Sequence, residues 1–260
     1  MKLIAVDDIQ LRCEHLPNPG APALLLLNSL GTSLEMWDEQ IDALRERYEI
    51  VRFDARGHGR SGATARTELS IGDLARDALA VLDGCGIARA HLCGLSLGGM
   101  IAMYIATHWP DRVLKLALCN TSAYMPPREA WQARIETVHT HGMAALTEGI
   151  LERWFTPEFR LAHPDRVERV RAMLLETEPR SYAACAAAVR DMDQRESIRG
   201  IMAKTLVIAG TQDLATPSPH AELIRDTIPG AQLLVIDAAH LSNMEQPQAF
   251  NGALLGFLAA

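Results

Sequence analysis

Gly94-Leu95-Ser96-Leu97-Gly98 lies between a short apolar run, residues 90–93, and a longer apolar segment, residues 97–108. The first has the length of a buried strand and the second that of a buried helix. A serine with a glycine two positions away on each side, between strand and helix, is typical of a sharp turn that exposes a nucleophilic hydroxyl. We therefore predict that Ser96 is a nucleophile, the alternative being a tight turn without chemistry.

Other short apolar runs recur along the chain and alternate with amphipathic segments. Apolar runs without polar alternation indicate strands buried on both faces, as in parallel sheets covered by helices on each side. The first two segments, residues 3–6 and 9–13, are instead predicted to form an antiparallel hairpin at one edge. The later predicted strands are residues 23–27, 50–53, 90–93, 113–118, 205–209 and 233–236. The pattern predicts an α/β protein with a mostly parallel central sheet and helices on both faces.

The alternation of strands and helices stops between about residues 121 and 201. This stretch is rich in helix-forming residues, contains five prolines and has no convincing strand. We predict a core of residues 1–120 and 202–260, and a helical cap insertion of residues 121–201 over the carboxyl edge of the sheet.

Composition limits the kinds of partner and cell compartment. The 260 residues carry a formal charge of −7, which argues against nucleic acid or an anionic membrane as the main partner. The five cysteines are scattered without a Cys-x-x-Cys pair, as in a protein with reduced thiols and no zinc site. The N-terminus lacks the features of a signal peptide, and the apolar runs are too short to span a membrane. We expect a soluble cytoplasmic protein.

A serine hydroxyl becomes a good nucleophile only when a base takes its proton. His240 follows the last predicted strand, in the third place of the chain order serine, acid, histidine. The other eight histidines lie in less favourable places, such as His58 in a glycine- and arginine-rich loop and His91 inside a strand. We predict that His240 is the base.

The acid that orients this histidine is expected just beyond the penultimate strand. Asp213 lies there, in Gly210-Thr211-Gln212-Asp213. A buried, ionised Asp213 would fix the imidazole tautomer and stabilise the imidazolium. Asp237 is the alternative acid, although it is expected to end a strand. A third possible place, after the strand ending near Cys119, holds Asn120.

Two backbone donors are predicted to form an oxyanion hole. One is the N–H of Leu97, directly after the nucleophile, and the other is the N–H of Leu30, in the loop after the first central strand. An ordinary glycine turn is the alternative for this loop. Ser29 has two interpretations, since its side chain could line the pocket or cap the next helix.

Together these residues resemble the 3-oxoadipate enol-lactonases, a branch of the α/β-hydrolases. The resemblance covers nearly the whole chain and is most telling in Asn28-Ser29-Leu30-Gly31-Thr32, where many relatives have His-Gly. It also includes Met36-Trp37-Asp38, Gln40, residues 52–61 and 94–100, Asn120-Thr121-Ser122-Ala123, Trp131, Arg134, His240-Leu241-Ser242-Asn243 and Glu245-Gln246-Pro247.

The resemblance implies the α/β-hydrolase fold and hydrolysis of 3-oxoadipate enol-lactone, a step of aromatic catabolism in the β-ketoadipate pathway. Ser96 would attack the ring carbonyl, the enolate would stay tethered in the acyl-enzyme, and water activated by His240 would release 3-oxoadipate. The implied partner is a small anionic lactone, and no metal or organic cofactor is required.

The carboxylate of such a lactone needs a cationic partner, for which we predict Arg134. Trp131 and Arg134 are three residues apart on a predicted helix and therefore share a face. Arginine offers a donor fork suited to a carboxylate, and tryptophan offers a flat wall. A solvated arginine and a core tryptophan are the alternative.

Two other functions fit the same residues. A carboxylesterase, or a hydrolase of another lactone or an amide, would use the same three catalytic groups. A ligand receptor of this fold with slow or no turnover is the second alternative. A dehalogenase or epoxide hydrolase is disfavoured because those enzymes have aspartate at the position of Ser96. The sequence does not predict the oligomeric state.

Overall fold

The computed structural model of the chain describes residues 1–7 and 9–260. Its strands are β1 (Lys2–Val6), β2 (Ile9–Leu16), β3 (Ala23–Leu27), β4 (Glu49–Phe53), β5 (Ala90–Leu95), β6 (Val113–Cys119), β7 (Lys204–Gly210) and β8 (Gln232–Ile236). They form one sheet in the order β1-β2-β4-β3-β5-β6-β7-β8. Each predicted strand is present, and the observed bounds differ from the predicted ones by a few residues at most.

The pairing directions confirm the predicted sheet. β1 and β2 form the antiparallel hairpin, and β2 also pairs antiparallel with β4. From β4 to β8 every neighbouring pair is parallel. All residues of the continuous apolar strands β3 and β5 are buried, as expected for strands covered on both faces.

The prediction that every later strand is buried on both faces is wrong for β8. Leu234 and Val235 are 37% and 49% exposed. β8 is the last strand of the sheet and pairs only with β7 within the described chain, so its position at the edge overrides its apolar sequence. An apolar run alone does not distinguish a central strand from an edge strand.

The helices cover the sheet and fill the connection between β6 and β7. They are α1 (Asp38–Leu44), α2 (Ile71–Gly84), α3 (Leu97–His108), α4 (Arg128–His141), α5 (Ala144–Trp154), α6 (Pro157–Ala162), α7 (Pro164–Glu176), α8 (Pro179–Asp191), α9 (Ser218–Thr227), α10 (Ser242–Glu245) and α11 (Pro247–Ala259). α4 to α8 all lie in the segment predicted to form a cap. Among residues 1–7 and 9–260, no helix has the length and apolar character needed to cross a bilayer.

Candidate active site

Ser96 occupies the turn between β5 and α3 with φ 56° and ψ −116°. Residues other than glycine rarely adopt this backbone conformation. Hydrogen bonds hold this backbone in place. The Ser96 N–H donates to the Cys119 carbonyl at 2.9 Å, and the Thr121 hydroxyl donates to the Ser96 carbonyl at 2.6 Å. The strained conformation is thus fixed by the last residue of β6 and by Thr121 just after that strand.

The two glycines of the turn are required by close backbone contacts. A Cβ added to Gly94 would lie 2.2 Å from the Gly98 carbonyl oxygen, and one added to Gly98 would lie 2.1 Å from the Leu27 carbonyl oxygen. Both distances are far below van der Waals contact. The spacing of small residues around Ser96 therefore has a direct steric cause.

His240 and Asp213 form a buried hydrogen-bonded pair at the carboxyl edge of the sheet. Nδ1 of His240 lies 2.9 Å from Oδ2 of Asp213 and 3.1 Å from Oδ1. The side chain of His240 is 1% exposed and that of Asp213 is fully buried. This contact leaves Nε2 as the ring nitrogen available for other chemistry.

Four further donors surround the Asp213 carboxylate. The backbone N–H groups of Ala215 and Thr216 donate to Oδ1 at 2.8 and 2.9 Å, while the hydroxyl of Thr216 and the amide of Asn120 donate to Oδ2 at 2.7 and 3.0 Å. Burial disfavours the charged carboxylate, but His240 and these hydrogen bonds outweigh burial and hold the pKa of Asp213 well below its usual value. The group is therefore ionised near neutral pH.

The two other positions considered for the acid make no hydrogen bond to the His240 side chain among the described residues. Asp237 is exposed, and its Oδ1 accepts hydrogen bonds from the Thr211 hydroxyl at 2.7 Å and the Gln212 amide at 3.1 Å. Asn120 supports Asp213 instead of replacing it, as its amide donates to that carboxylate.

The backbone N–H groups of Leu30 and Leu97 have no hydrogen-bond acceptor within the described chain. Both residues line the same cavity as Ser96. The loop that carries Leu30 is held by Asn28, whose amide donates to the Phe53 carbonyl at 2.8 Å and whose oxygen accepts from the Trp37 indole at 3.0 Å. Leu30 and Leu97 therefore bring backbone donors without an internal acceptor to the cavity that contains Ser96.

A cavity of about 400 Å³ brings the predicted site residues together. Ser96, His240, Leu30, Leu97, Trp131 and Arg134 all line it, whereas Asp213 lies behind His240. The hydrogen bonds of His240 within the described chain go to Asp213 and Thr216, and none joins it to the Ser96 hydroxyl. The apolar wall is formed by Leu30, Leu97, Met100, Met125, Ala130, Ala133, Leu146, Trp154, Val189, Leu214 and Ala215.

Trp131 and Arg134 share one face of α4, as their spacing predicts. The guanidinium of Arg134 lies 5.2 Å from the centre of the Trp131 ring and 5.6 Å from that of Tyr182. Its Nε donates a 2.7 Å hydrogen bond to the hydroxyl of Tyr182, which is fully buried. Arg134 is thus neither a freely solvated side chain nor paired with a carboxylate of the described chain.

The sequence interpretation missed Thr216 and Arg153. Thr216 lines the cavity and contacts both Asp213 and His240; its place three residues after Asp213 was the only available signal. Arg153 lines the cavity from the C-terminal end of α5. No motif marks it, because only the packing of α5 beside α4 brings it to the site.

Comparison with known proteins identifies the family. Residues 22–140 match the model of the alpha/beta hydrolase fold. The chain is 36% identical to 3-oxoadipate enol-lactonase 2 of Acinetobacter baylyi over 96% of this chain and 94% of that protein. The crystal structure of the enol-lactonase from Burkholderia xenovorans LB400 superposes with a TM-score of 0.97 at 36% identity, covering 100% of both chains. A hydrolase from Pseudomonas aeruginosa PA01 has a TM-score of 0.94 at 41% identity, covering 100% of this chain and 98% of that one. The chain belongs to the 3-oxoadipate enol-lactonase family of the α/β-hydrolases.

Proposed function

We propose that the protein hydrolyses 3-oxoadipate enol-lactone to 3-oxoadipate in the β-ketoadipate pathway. The observation that carries the proposal is a single cavity lined by Ser96, by His240 with its buried Asp213 partner, and by Arg134. Such a cavity combines the groups for acyl transfer with a cation for an anionic substrate. The names of the relatives agree with this activity.

Acyl transfer would begin with Ser96. Its hydroxyl attacks the ring carbonyl while Nε2 of His240 takes the proton, and Asp213 stabilises the imidazolium that results. The negative charge on the carbonyl oxygen is received by the N–H groups of Leu30 and Leu97. Each such donor typically contributes roughly 2.7–4 kcal/mol to the transition state.

Ring opening leaves the enolate attached to the acyl-enzyme, because acyl group and leaving group belong to one molecule. The leaving oxygen takes the proton from the His240 imidazolium, and the resulting enol tautomerises to the ketone, which favours the forward direction. His240 then activates a water molecule that attacks the acyl carbonyl, and Ser96 leaves as the free hydroxyl. These reaction steps need no metal or organic cofactor.

Substrate recognition is assigned to the segment 121–201, which we propose is a cap over the core formed by residues 1–120 and 202–260. Arg134 would bind the carboxymethyl arm of the lactone, while Trp131 provides a flat wall for the ring. Tyr182 supports this role, since its hydroxyl fixes the guanidinium of Arg134 through Nε and leaves the terminal nitrogens to the ligand.

The purified protein should be assayed with 3-oxoadipate enol-lactone and with p-nitrophenyl acetate under the same conditions. The proposal predicts a much higher kcat/KM for the lactone. A higher kcat/KM for the acetate, without lactone turnover, would replace the lactonase by a carboxylesterase. A single turnover followed by arrest on both substrates would favour a ligand receptor of this fold.

A further inference from the structure

We propose that Arg153 and Arg134 together bind the carboxylate of an anionic acyl substrate, which makes Arg153 a residue that determines specificity. This inference rests on the proposed function in taking Ser96 as the group that attacks the substrate. It extends that function by adding Arg153 to the carboxylate site that Arg134 is proposed to form.

The cavity is lined by two permanently charged side chains, and both are positive. Arg134 and Arg153 line it, and no aspartate or glutamate of the described chain does. Arg153 makes no hydrogen bond or ion pair with any described residue, although the protein contains many arginine–carboxylate pairs elsewhere, such as Arg56 with Asp77. Two arginines without acidic partners in one cavity form a site for an anion.

The two arginines differ in how firmly they are held. Arg134 is half-buried and fixed by Tyr182 and the Trp131 ring. Arg153 is exposed, so it lies where the cavity opens to solvent. Although the residue is exposed, partial desolvation of its side chain and the nearby charge of Arg134 lower the pKa of Arg153. A bound carboxylate would relieve that repulsion, and arginine remains protonated near neutral pH.

These positions suggest separate tasks in binding one carboxylate. Arg134 provides a donor fork oriented by Tyr182, and Arg153, which is more exposed, approaches the same carboxylate from the solvent side. A neutral substrate would bring no anion to the two arginines that line the cavity. The cavity should therefore select anionic over neutral acyl groups of equal length.

The test compares mono-p-nitrophenyl adipate with p-nitrophenyl hexanoate, which have the same leaving group and number of acyl carbons and differ in the terminal carboxylate. Arg153→Gln should lower kcat/KM for the adipate ester by about tenfold, mainly through KM, and leave the hexanoate within about twofold. Arg153→Lys should restore part of the preference because it retains the charge. Arg169 is exposed on α7 and lies outside the cavity, so Arg169→Gln should leave kcat/KM for both esters unchanged.

An equal loss on both esters would assign Arg153 a structural role and overturn the inference, as would an unchanged kcat/KM for the adipate ester. The outcome is independent of the natural lactone. If the wild-type protein hydrolyses the adipate ester but not 3-oxoadipate enol-lactone, the lactonase proposal fails while Arg153 is still tested. If the lactone is hydrolysed but Arg153→Gln leaves kcat/KM for both esters unchanged, only the inference about Arg153 fails.

A second inference rests on a different observation: we infer that the hydroxyl of Ser29 is a third donor to the developing oxyanion. Ser29 lines the cavity, is 2% exposed, and its Oγ has no hydrogen-bond partner in the described chain. A buried hydroxyl without a partner is costly, and here it adjoins the Leu30 N–H assigned to the oxyanion.

The remaining polar groups of Ser29 are all engaged. Its N–H contacts the sulfur of Met36 at 3.3 Å, and its carbonyl accepts from the N–H and the hydroxyl of Thr32 at 3.2 and 2.8 Å. Its side chain does not cap the following turn, for which Ser33 is the N-cap residue. The loop thus fixes the backbone of Ser29 and leaves only its hydroxyl for a ligand.

Ser29→Ala should lower kcat by about tenfold to a hundredfold with little change in KM, on both the lactone and p-nitrophenyl acetate, because every acyl transfer develops the same oxyanion. Ser29→Thr retains the hydroxyl and should recover part of kcat. Ser33→Ala in the same loop should have no comparable effect on kcat. An unchanged kcat in Ser29→Ala on both substrates would overturn this inference, and the acetate assay decides it even if the lactone is not a substrate.

Discussion

The side-chain amide of Asn120 donates a 3.0 Å hydrogen bond to Oδ2 of Asp213, and its oxygen accepts a 2.6 Å hydrogen bond from the Ser242 hydroxyl. Asn120 therefore connects the acid to the residue two positions after His240. Its φ of 43° is tolerated by asparagine and by glycine. The residue holds together the two loops whose contact orients the imidazole.

Replacement of Asn120 by glycine removes the amide without straining the backbone. We expect kcat to fall by about tenfold, because Asp213 loses one of its fixing hydrogen bonds, while KM changes little. Steady-state kinetics on the lactone and on p-nitrophenyl acetate would measure both constants. A rise in KM with kcat unchanged would contradict a positioning role.

The assignment of the acid can be tested by a matched pair of substitutions. Asp213→Asn should lower kcat by about 10⁴-fold, since the imidazole loses the carboxylate that fixes its tautomer. Asp237→Asn should retain nearly the wild-type kcat, because Asp237 is exposed and contacts only Thr211 and Gln212. The reverse pattern would transfer the role of the acid to Asp237.

The lowered pKa of Asp213 also predicts a pH dependence of stability. A carboxylate whose pKa is lower in the folded than in the unfolded protein stabilises the fold above its unfolded pKa of about 3.9, and that contribution is lost as the pH falls toward the folded pKa. Below about pH 4, the unfolding free energy of the wild type should therefore fall more steeply than that of Asp213→Asn. Urea titrations at several pH values would measure the unfolding free energy of both proteins. An equal change of that free energy with pH in the two proteins would argue against a lowered pKa of Asp213.

Glu245 links the His240 loop to the segment between β6 and β7. Its Oε2 accepts from the Ala239 N–H at 2.9 Å, and its Oε1 accepts from the N–H and the hydroxyl of Thr156. Glu245→Gln replaces one acceptor oxygen by a donor group, so we expect a loss of about 1–3 kcal/mol in unfolding free energy. Chemical denaturation would measure it. Unchanged stability would mean that the loop is held by other contacts, such as the 3.1 Å bond from the Leu241 N–H to the Trp154 carbonyl.

Much of the fold could be predicted because its local signals agree. The continuous apolar strands predict a parallel sheet, and the pair Ser70 and Asp73 predicts the start of α2, where both reciprocal hydrogen bonds of a capping box are present. The turn around Ser96 was predictable because steric limits at Gly94 and Gly98 leave a sequence pattern. The exposure of β8 was not, because edge position depends on strand order.

The catalytic candidates could be predicted from the sequence, whereas other residues that line the cavity could not. Ser96, Asp213 and His240 each follow a strand, so chain order and the shared sheet edge predict that they converge. Arg153 and Thr216 carry no comparable signal, because their place at the cavity follows from helix packing and loop shape. The sequence likewise cannot show that the Ser29 hydroxyl lacks a hydrogen-bond partner, because this depends on the positions of its neighbours in the fold.

The most direct test of Ser96 as the nucleophile is the kcat of Ser96→Ala on 3-oxoadipate enol-lactone, with Ser122→Ala as the matched control. Ser122 is buried, donates to the Tyr124 carbonyl at 2.6 Å and does not line the cavity. If Ser96 is the nucleophile, kcat should fall by about 10⁴-fold or more in Ser96→Ala and stay nearly unchanged in Ser122→Ala. A Ser96→Ala variant that retains kcat within about tenfold of the wild type would contradict a serine nucleophile at this turn.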